Sequence, residues 1–546
     1  MSEMTPHAES AAPYPLTIRR ILEAPIAFDP AQEIVYRGLR RLTYADLRAR
    51  VHRLAGALAA LGVKRGDTVA VLDWDSHRYL EAFFAVPMMG AVLHTVNVRL
   101  SPEQILYTIE HAEDDVVLVH ADFLPILEAI RGRISTVKKY VLLADEGASS
   151  SATIPVAGEY EALLAAAPER FDFPDLPEDT RATTFYTTGT TGLPKGVFFN
   201  HRQLVLHTLA TTSLLASAHH GSLRRGDVYM PITPMFHVHA WGVPYVATML
   251  GVKQVYPGRY VPDALLGLIG REKVTFSHCV PTILHMLLKD PASQKVDLSR
   301  WKVLVGGAAL SKPLARLAMD RGIDVVVGYG MSETAPILTT ANLDPADLEQ
   351  GPDAQAELRT RTGRALPLVD LRVVDAAMAE VPPDGKTTGE IVVRAPWLTG
   401  GYLKDQKATD ALWRGGYLHT GDVAWRDARG FVKITDRMKD VIKVGGEWLS
   451  SLEVEDVLAA HPAVAEVAVI GVSDAKWGEK PLALVVRRPG HEGATERELQ
   501  HHAHEYVEKG LLSKLAVLLH VRFVDALEKT SVGKLNKRAM RERHDR

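Results

Sequence analysis

The sequence holds a single cysteine, Cys279, among 546 residues. One thiol excludes an intrachain disulfide and a cysteine-based metal cluster, and it suits a reducing cytosol. Long hydrophobic runs are also missing. No stretch reaches the roughly eighteen apolar residues a membrane-spanning helix needs, so none is expected. The longest candidate, Trp241–Val252, is broken by Pro244. Excess charge is absent too: 63 basic and 66 acidic residues leave a formal net charge of −3. That balance argues against nucleic-acid binding driven by phosphate neutralisation. The first fifteen residues contain Glu3, Glu9 and prolines but no apolar core. They read as a disordered tail rather than a signal peptide, and a cytoplasmic location is expected.

What is present is an ordinary globular composition, 47% hydrophobic and 24% charged. A chain of this length is too long for one compact core, so two or more domains are expected. Thr43 and Asp46 can cap a helix. Its face is marked by Leu47, Val51, Leu54, Leu58 and Leu61, and Gly62 suits its end. A strand is expected at Thr68–Leu72, a helix over Tyr79–Met89 and a strand at Ala91–Val96. Val116–Val119 and Tyr140–Leu143 repeat the pattern, and Glu146–Ala152 reads as a surface loop. Such alternation points to α/β layers around mostly parallel sheets. Further on, Val303–Val305 and Val325–Val327 read as strands, with a helix between them capped by Ser311 and ending at Gly322. After about Asp436 the pattern changes to a helix over Glu447–Ala460, strands at Val464–Val472 and Leu482–Val486, and a helix over Glu496–Lys509. This is a smaller α+β unit of about 110 residues, within the usual domain range.

One segment carries the strongest chemical signal. The strand-like Thr183–Tyr186 runs into Thr187-Thr188-Gly189-Thr190-Thr191-Gly192-Leu193-Pro194-Lys195-Gly196, and Asn200 with Gln203 can then cap a helix. Glycines let backbone N–H groups approach an anion, hydroxyls add donors and the lysine adds a point charge. That combination suits a polyphosphate, although the spacing is not the Walker pattern. Downstream lie Pro234-Met235-Phe236-His237-Val238-His239-Ala240-Trp241-Gly242, the small-residue turn Val305-Gly306-Gly307-Ala308-Ala309, and Gly328-Tyr329-Gly330-Met331-Ser332-Glu333-Thr334. Three more segments follow: Tyr417–Asp422, the charged and glycine-bearing Asp436–Trp448, and Lys529–Lys534. His237 and His239 lack a third ligand nearby, which argues against zinc.

Together these segments resemble those of the adenylate-forming superfamily of acyl-CoA synthetases, luciferases and peptide-synthetase adenylation domains. Within it the chain is most similar to bacterial medium- and long-chain fatty acid–CoA ligases, from about Pro15 to Arg543. The resemblance implies a large N-terminal domain over 16–435, a hinge at 436–441 and a small mobile domain over 442–546. It implies ATP, Mg²⁺ and CoA as partners of a carboxylic acid, with homodimers common among close relatives.

The resemblance also assigns roles. Lys534 is the mobile catalytic lysine, His237 lies near the reacting carboxylate, and Glu333 with Thr187 binds the magnesium. Thr187, Thr188, Gly189, Thr190, Thr191 and Lys195 hold phosphate. Gly307, Val327, Gly328, Tyr329 and Ser332 hold the adenine side. Asp422 takes the ribose hydroxyls, a good match for a carboxylate. Arg437, Lys439 and Lys443 contact ribose or phosphate about a pivot at Asp436. Gly445, Gly446 and Trp448 approach the CoA channel. Val238, Trp241, Gly306, Ala308 and Gly330 line the acyl pocket, with Trp241 as a gate. The glycine at 330, where acetate-type members carry a bulky aromatic, is expected to leave a void for an acid larger than propionate.

The stretch Ser513–His520 lacks the family's aromatic and proline, which leaves small-domain packing and CoA contacts open. The alternatives are an acyl-AMP ligase serving a carrier protein in trans and a CoA ligase for an aryl or thioether acid. A luciferase-like oxygenase and an inactive nucleotide-binding protein are further readings.

Overall fold

A computed structural model describes residues 10–145, 154–187, 193–445, 447–530 and 535–545, with the side chain of Trp448 also outside that set. The expected loop Glu146–Ala152 lies outside the described residues.

The local signals explain how the first layers form. Thr43 caps the helix Tyr44–Ala60, its hydroxyl accepting from the Asp46 N–H while the Asp46 carboxylate accepts from the Thr43 N–H. Leu47, Val51, Leu54 and Leu58 are buried along one face, and Gly62 follows the end with φ +97°. The helix His77–Met88 is buried at all 12 positions, and its buried charges are paired, Arg78 with Asp73 and Glu81 with Arg50.

Among the described residues, two large sheets flank these helices. The first runs in the order Gly158–Glu159, Lys139–Leu143, Asp114–His120, Thr68–Leu72, Val92–Thr95, Arg181–Thr187 and Lys195–Asn200. It is parallel except for the last strand, which returns antiparallel on Arg181–Thr187. The second has nine strands, with a parallel centre over Asp324–Gly330, Lys302–Val305, Phe276–Cys279, Val228–Pro231 and Lys253–Tyr256. A four-stranded antiparallel sheet over Asp370–Val374, Gly389–Arg394, Leu418–Arg426 and Val432–Arg437 follows. No helix among the described residues is long and apolar enough to cross a membrane.

The chain then crosses to a five-stranded sheet with its own apolar core, including Ile442, Val444, Leu449, Val454, Leu458, Val485 and Leu499. The crossing segment 438–441 falls within the span expected as a hinge. Glu447–Leu449 is not the start of a helix but a short strand paired with Ile442–Val444, and the helix covers only Ser451–Ala459. The strand at 478 is also longer than expected, Gly478–Arg487. Ser311 precedes the helix Lys312–Asp320 but makes no side-chain cap bond. The atypical Ser513–His520 stretch packs without the aromatic and proline. It forms a short 3₁₀ turn, Lys514–Leu518, that buries Ala516 and leads into the strand His520–Phe523.

Candidate active site

The parallel strands end on one cleft, where ligands of open α/β sheets bind. The strand Arg181–Thr187 delivers Thr187, and the antiparallel Lys195–Asn200 delivers Lys195 directly opposite it. Thr187 and Lys195 thus stand at the paired ends of two adjacent antiparallel strands. Asn200 still caps the helix His201–Ser217, in a reciprocal box with Gln203. Thr188, Gly189, Thr190 and Thr191 lie outside the described residues, as do Gly446 and Lys534.

Lys195, His237, Val238, Trp241, Gly306, Gly307, Gly328, Tyr329, Gly330, Ser332, Glu333, Asp422, Arg437 and Lys439 share with Thr187 the wall of one cavity of about 530 Å³. The cavity has two polar ends. At one, the Tyr402 hydroxyl donates to Glu333 Oε1 at 2.6 Å, and Lys195 Nζ sits 4.7 Å from the centre of the Tyr402 ring. Glu333 is buried, and that burial raises its carboxyl pKa against the lowering effect of the Tyr402 bond. At the other end, the Tyr329 hydroxyl donates to Asp422 Oδ2 at 2.7 Å. Arg437 Nε lies 3.2 Å from Asp422 Oδ1. Burial and the neighbouring Asp422 charge push the Tyr329 phenol well above its ordinary range, so it stays a donor. The carboxylate keeps lone pairs to spare for further hydroxyl donors.

The apolar end is set by an unusual turn. Val238, His239, Ala240 and Trp241 all have positive φ, 49°, 53°, 49° and 61°, and Gly242 follows at 71°. Left-handed backbone costs free energy for residues with a Cβ and persists where surroundings over-determine it. Here His239 Nε2 meets the Thr183 hydroxyl at 2.7 Å and its ring packs edge-on against Phe83 and Phe185. Burial holds His239 down to about 3, so it is a neutral core group. The Trp241 ring crosses Gly306, where a Cβ would lie 3.1 Å from Cη2 and 2.7 Å from the Gly328 carbonyl.

Gly330 lies on the cavity wall, but not for the reason expected. A Cβ on Gly330 would overlap the Pro336 carbonyl. The glycine therefore serves a close backbone approach beside a register shift between Tyr329 and Gly330, and does not leave an open void. Ala308 is exposed and Val327 is buried inside its strand, and neither lines the cavity. Lys443 and Gly445 are exposed and also off the wall. Asp436 is buried, accepting from the Arg437 and Ser451 N–H groups at 2.7 and 2.6 Å. Among the described residues, no group of three or more His, Cys, Asp or Glu is arranged to hold a metal by itself.

The sequence reading missed Asn97, Tyr186 and Tyr402, and the carboxy-terminal residues Thr530, Leu535, Asn536, Lys537, Arg538 and Arg541, all on the same wall. The Gly400-Gly401-Tyr402 turn was a local signal for Tyr402. The four-residue spacing of Lys537 and Arg541 was one for a shared helix face.

Comparison with known proteins decides the family. The model for the AMP-binding enzyme matches residues 23–403, and that for its C-terminal domain matches 453–534. The chain belongs to the AMP-binding enzyme family. Among AMP-binding enzymes it is 42% identical to a long-chain-fatty-acid–CoA ligase of Thermus thermophilus, over 97% of this chain and 96% of that protein. It is 39% identical to a 3-methylmercaptopropionyl-CoA ligase of Ruegeria lacuscaerulensis, over 92% of each. An anthranilate CoA ligase solved with anthranoyl-AMP superposes with a TM-score of 0.84 at 25% identity, covering 97% of this chain and 98% of that one.

Proposed function

We propose that this AMP-binding enzyme is an ATP-dependent acid–CoA ligase acting on a medium- or long-chain fatty acid. The observation that carries the reading is the single cavity between two polar poles, Tyr329–Asp422–Arg437 and Lys195–Tyr402–Glu333, with an apolar end at Trp241. The first pole suits a nucleoside and the second a polyphosphate. The 42% identity to a fatty-acid ligase over nearly the whole chain supports the acid class.

The chemistry balances in two steps. A carboxylate oxygen attacks the α-phosphorus and pyrophosphate leaves, giving an acyl-adenylate. The CoA thiolate then attacks the acyl carbonyl carbon and AMP leaves. Both partners of the first step are anions, so the protein must align them and offset their charge. Alignment can remove several kcal/mol of barrier. An ammonium about 4 Å from a phosphate oxygen contributes on the order of 4 kcal/mol at an effective dielectric near 20. Lys195 acts on the polyphosphate, and Lys534, by its place in the family pattern, acts on the carboxylate and α-phosphate. Tyr329 packs on the base and Asp422 takes the ribose. Asp436 is the pivot, and the glycines 445 and 446 with Trp448 serve the thiol.

Glu333 and Thr187 fit a magnesium ion that arrives with the nucleotide. One carboxylate and one hydroxyl suffice for an ion that keeps waters and phosphate oxygens as its other ligands, and no closed protein cage is present among the described residues. Bound there, the ion would neutralise phosphate charge.

A thioether acid is a second reading, favoured by the 39% identity to the 3-methylmercaptopropionate ligase. Incubation with ATP, magnesium, CoA and a panel of C2 to C16 fatty acids plus 3-methylmercaptopropionate separates the two. Maximal acyl-CoA and AMP formation with C8 to C16 acids supports the first reading. Maximal formation with the thioether acid replaces it with the second.

A further inference from the structure

The helix Lys537–His544 carries two cations one turn apart, Lys537 and Arg541, on a face that meets the crossing segment between the two bodies of the chain. Lys537 Nζ donates to Ser451 Oγ at 2.6 Å and pairs with Glu455 Oε1 at 2.7 Å. Ser451 in turn donates its N–H to Asp436 Oδ2 at 2.6 Å. Arg541 Nη2 meets Asp440 Oδ1 at 2.6 Å. Asp436 and Asp440 share the helix's four-residue spacing, one at each end of the turn that leaves the four-stranded sheet.

The partners belong to different bodies. Asp436 pairs with Val423 inside the four-stranded sheet of the large body. Ser451, Glu455 and Lys537 belong to the small one. Lys537 is buried although it is a lysine, a placement that requires full pairing. The helix stands at the site itself, because Asn536, Lys537, Arg538 and Arg541 all line the cavity.

We propose that Lys537 and Arg541 form a clasp on the crossing segment that seats the carboxy-terminal helix against the cavity for adenylate formation. Both are positioning residues: Lys537 acts through Ser451 on Asp436, and Arg541 acts on Asp440. The inference rests on the acid-activating function stated above. It adds that the crossing segment and the carboxy-terminal helix are held as one unit, so Arg437, Lys439 and Arg538 on the cavity wall are placed by contacts made behind them. Charge builds on the leaving pyrophosphate in the first step, whereas the second step releases only AMP. Misplacing this helix therefore costs the first step more.

The test uses the full chain and the acid it turns over fastest, in ATP–pyrophosphate exchange. The variants are Lys537→Met, Lys537→Arg, Arg541→Met, Asp440→Asn and the Asp440→Asn/Arg541→Met double. Thioester formation from supplied acyl-AMP and the thermal midpoint are measured in parallel. Exchange should fall about 10- to 100-fold in the Lys537→Met, Arg541→Met and Asp440→Asn variants, the scale of a small misplacement of reacting groups. Thioester formation should fall less than about threefold, since it does not draw on that placement. The double should be no slower than Arg541→Met, because both changes remove one contact. Lys537→Arg should retain exchange, since it keeps the charge. Unchanged exchange in all variants overturns the clasp. So does an equal fall in both half-reactions with a lowered midpoint, which would mark ordinary packing. A wild-type chain with no exchange on any acid overturns the proposed activity itself, a result distinct from loss in the variants alone.

Discussion

Tyr329 and Asp422 are joined by a 2.7 Å hydrogen bond from the phenol to the carboxylate. In the proposed function Tyr329 serves the base and Asp422 the ribose, so this one bond would set the spacing of both nucleoside groups. Tyr329→Phe keeps the ring and loses the bond. A hydrogen bond to a charged group contributes about 1.5 kcal/mol or more, so KM for ATP should rise roughly tenfold. kcat should stay within about twofold, because the lost contact serves binding in ground and transition states alike. Initial-rate kinetics checks this, and an unchanged KM for ATP would contradict it.

Tyr402 stands between Lys195 and Glu333, donating to one and offering its ring to the other. Tyr402→Phe should lower pyrophosphate exchange about tenfold, the scale of one charge-assisted bond. The ring remains, so the thermal midpoint should hardly move. Exchange at the wild-type rate would remove Tyr402 from the polyphosphate pole.

Gly330 distinguishes a spacer from a strut. A side chain there meets the Pro336 backbone rather than open pocket. Gly330→Ala should therefore lower activity toward every acid in the panel and lower the thermal midpoint. A shift of preference toward shorter acids with the rate preserved would restore the pocket reading.

His207 gives a test of buried electrostatics by pH. It is buried, its Nε2 accepts from the Ile337 N–H at 3.1 Å, and burial holds it down to about 3. An unfolded histidine titrates near 6.5, so the unfolded chain binds the extra proton as pH falls below that value. The stability this neutral group contributes is present above about pH 6.5 and is lost progressively as the pH drops toward 3. His207→Gln keeps an acceptor for Ile337 and removes the titration. The stability lost between pH 7 and pH 5 should shrink by about 2 kcal/mol in the variant. Parallel pH dependences in variant and wild type would contradict the assignment.

The parts legible in the sequence were those with local causes. The boxes at Thr43/Asp46 and Asn200/Gln203 each mark a helix start that the structure contains. The run Thr68–Leu72 is a strand with the same bounds. Other features depended on distant partners. Glu447–Leu449 has helix-compatible residues yet pairs as a strand, because the turn at Gly445, with φ +60°, folds it back on Ile442–Val444. Gly330 is a glycine because of Pro336, and that approach has no local signature. Tyr402 reaches Glu333 across 69 positions of sequence, and only the folded layers bring them together. The family motifs gathered most of the cavity wall, but not its carboxy-terminal side.

The most direct test of the account is acid-dependent ATP–pyrophosphate exchange by the purified chain without CoA. Exchange is expected with medium- and long-chain fatty acids, none without acid, and acyl-CoA with AMP once CoA is added. ATP consumption to ADP and phosphate, or exchange indifferent to the acid, would contradict it.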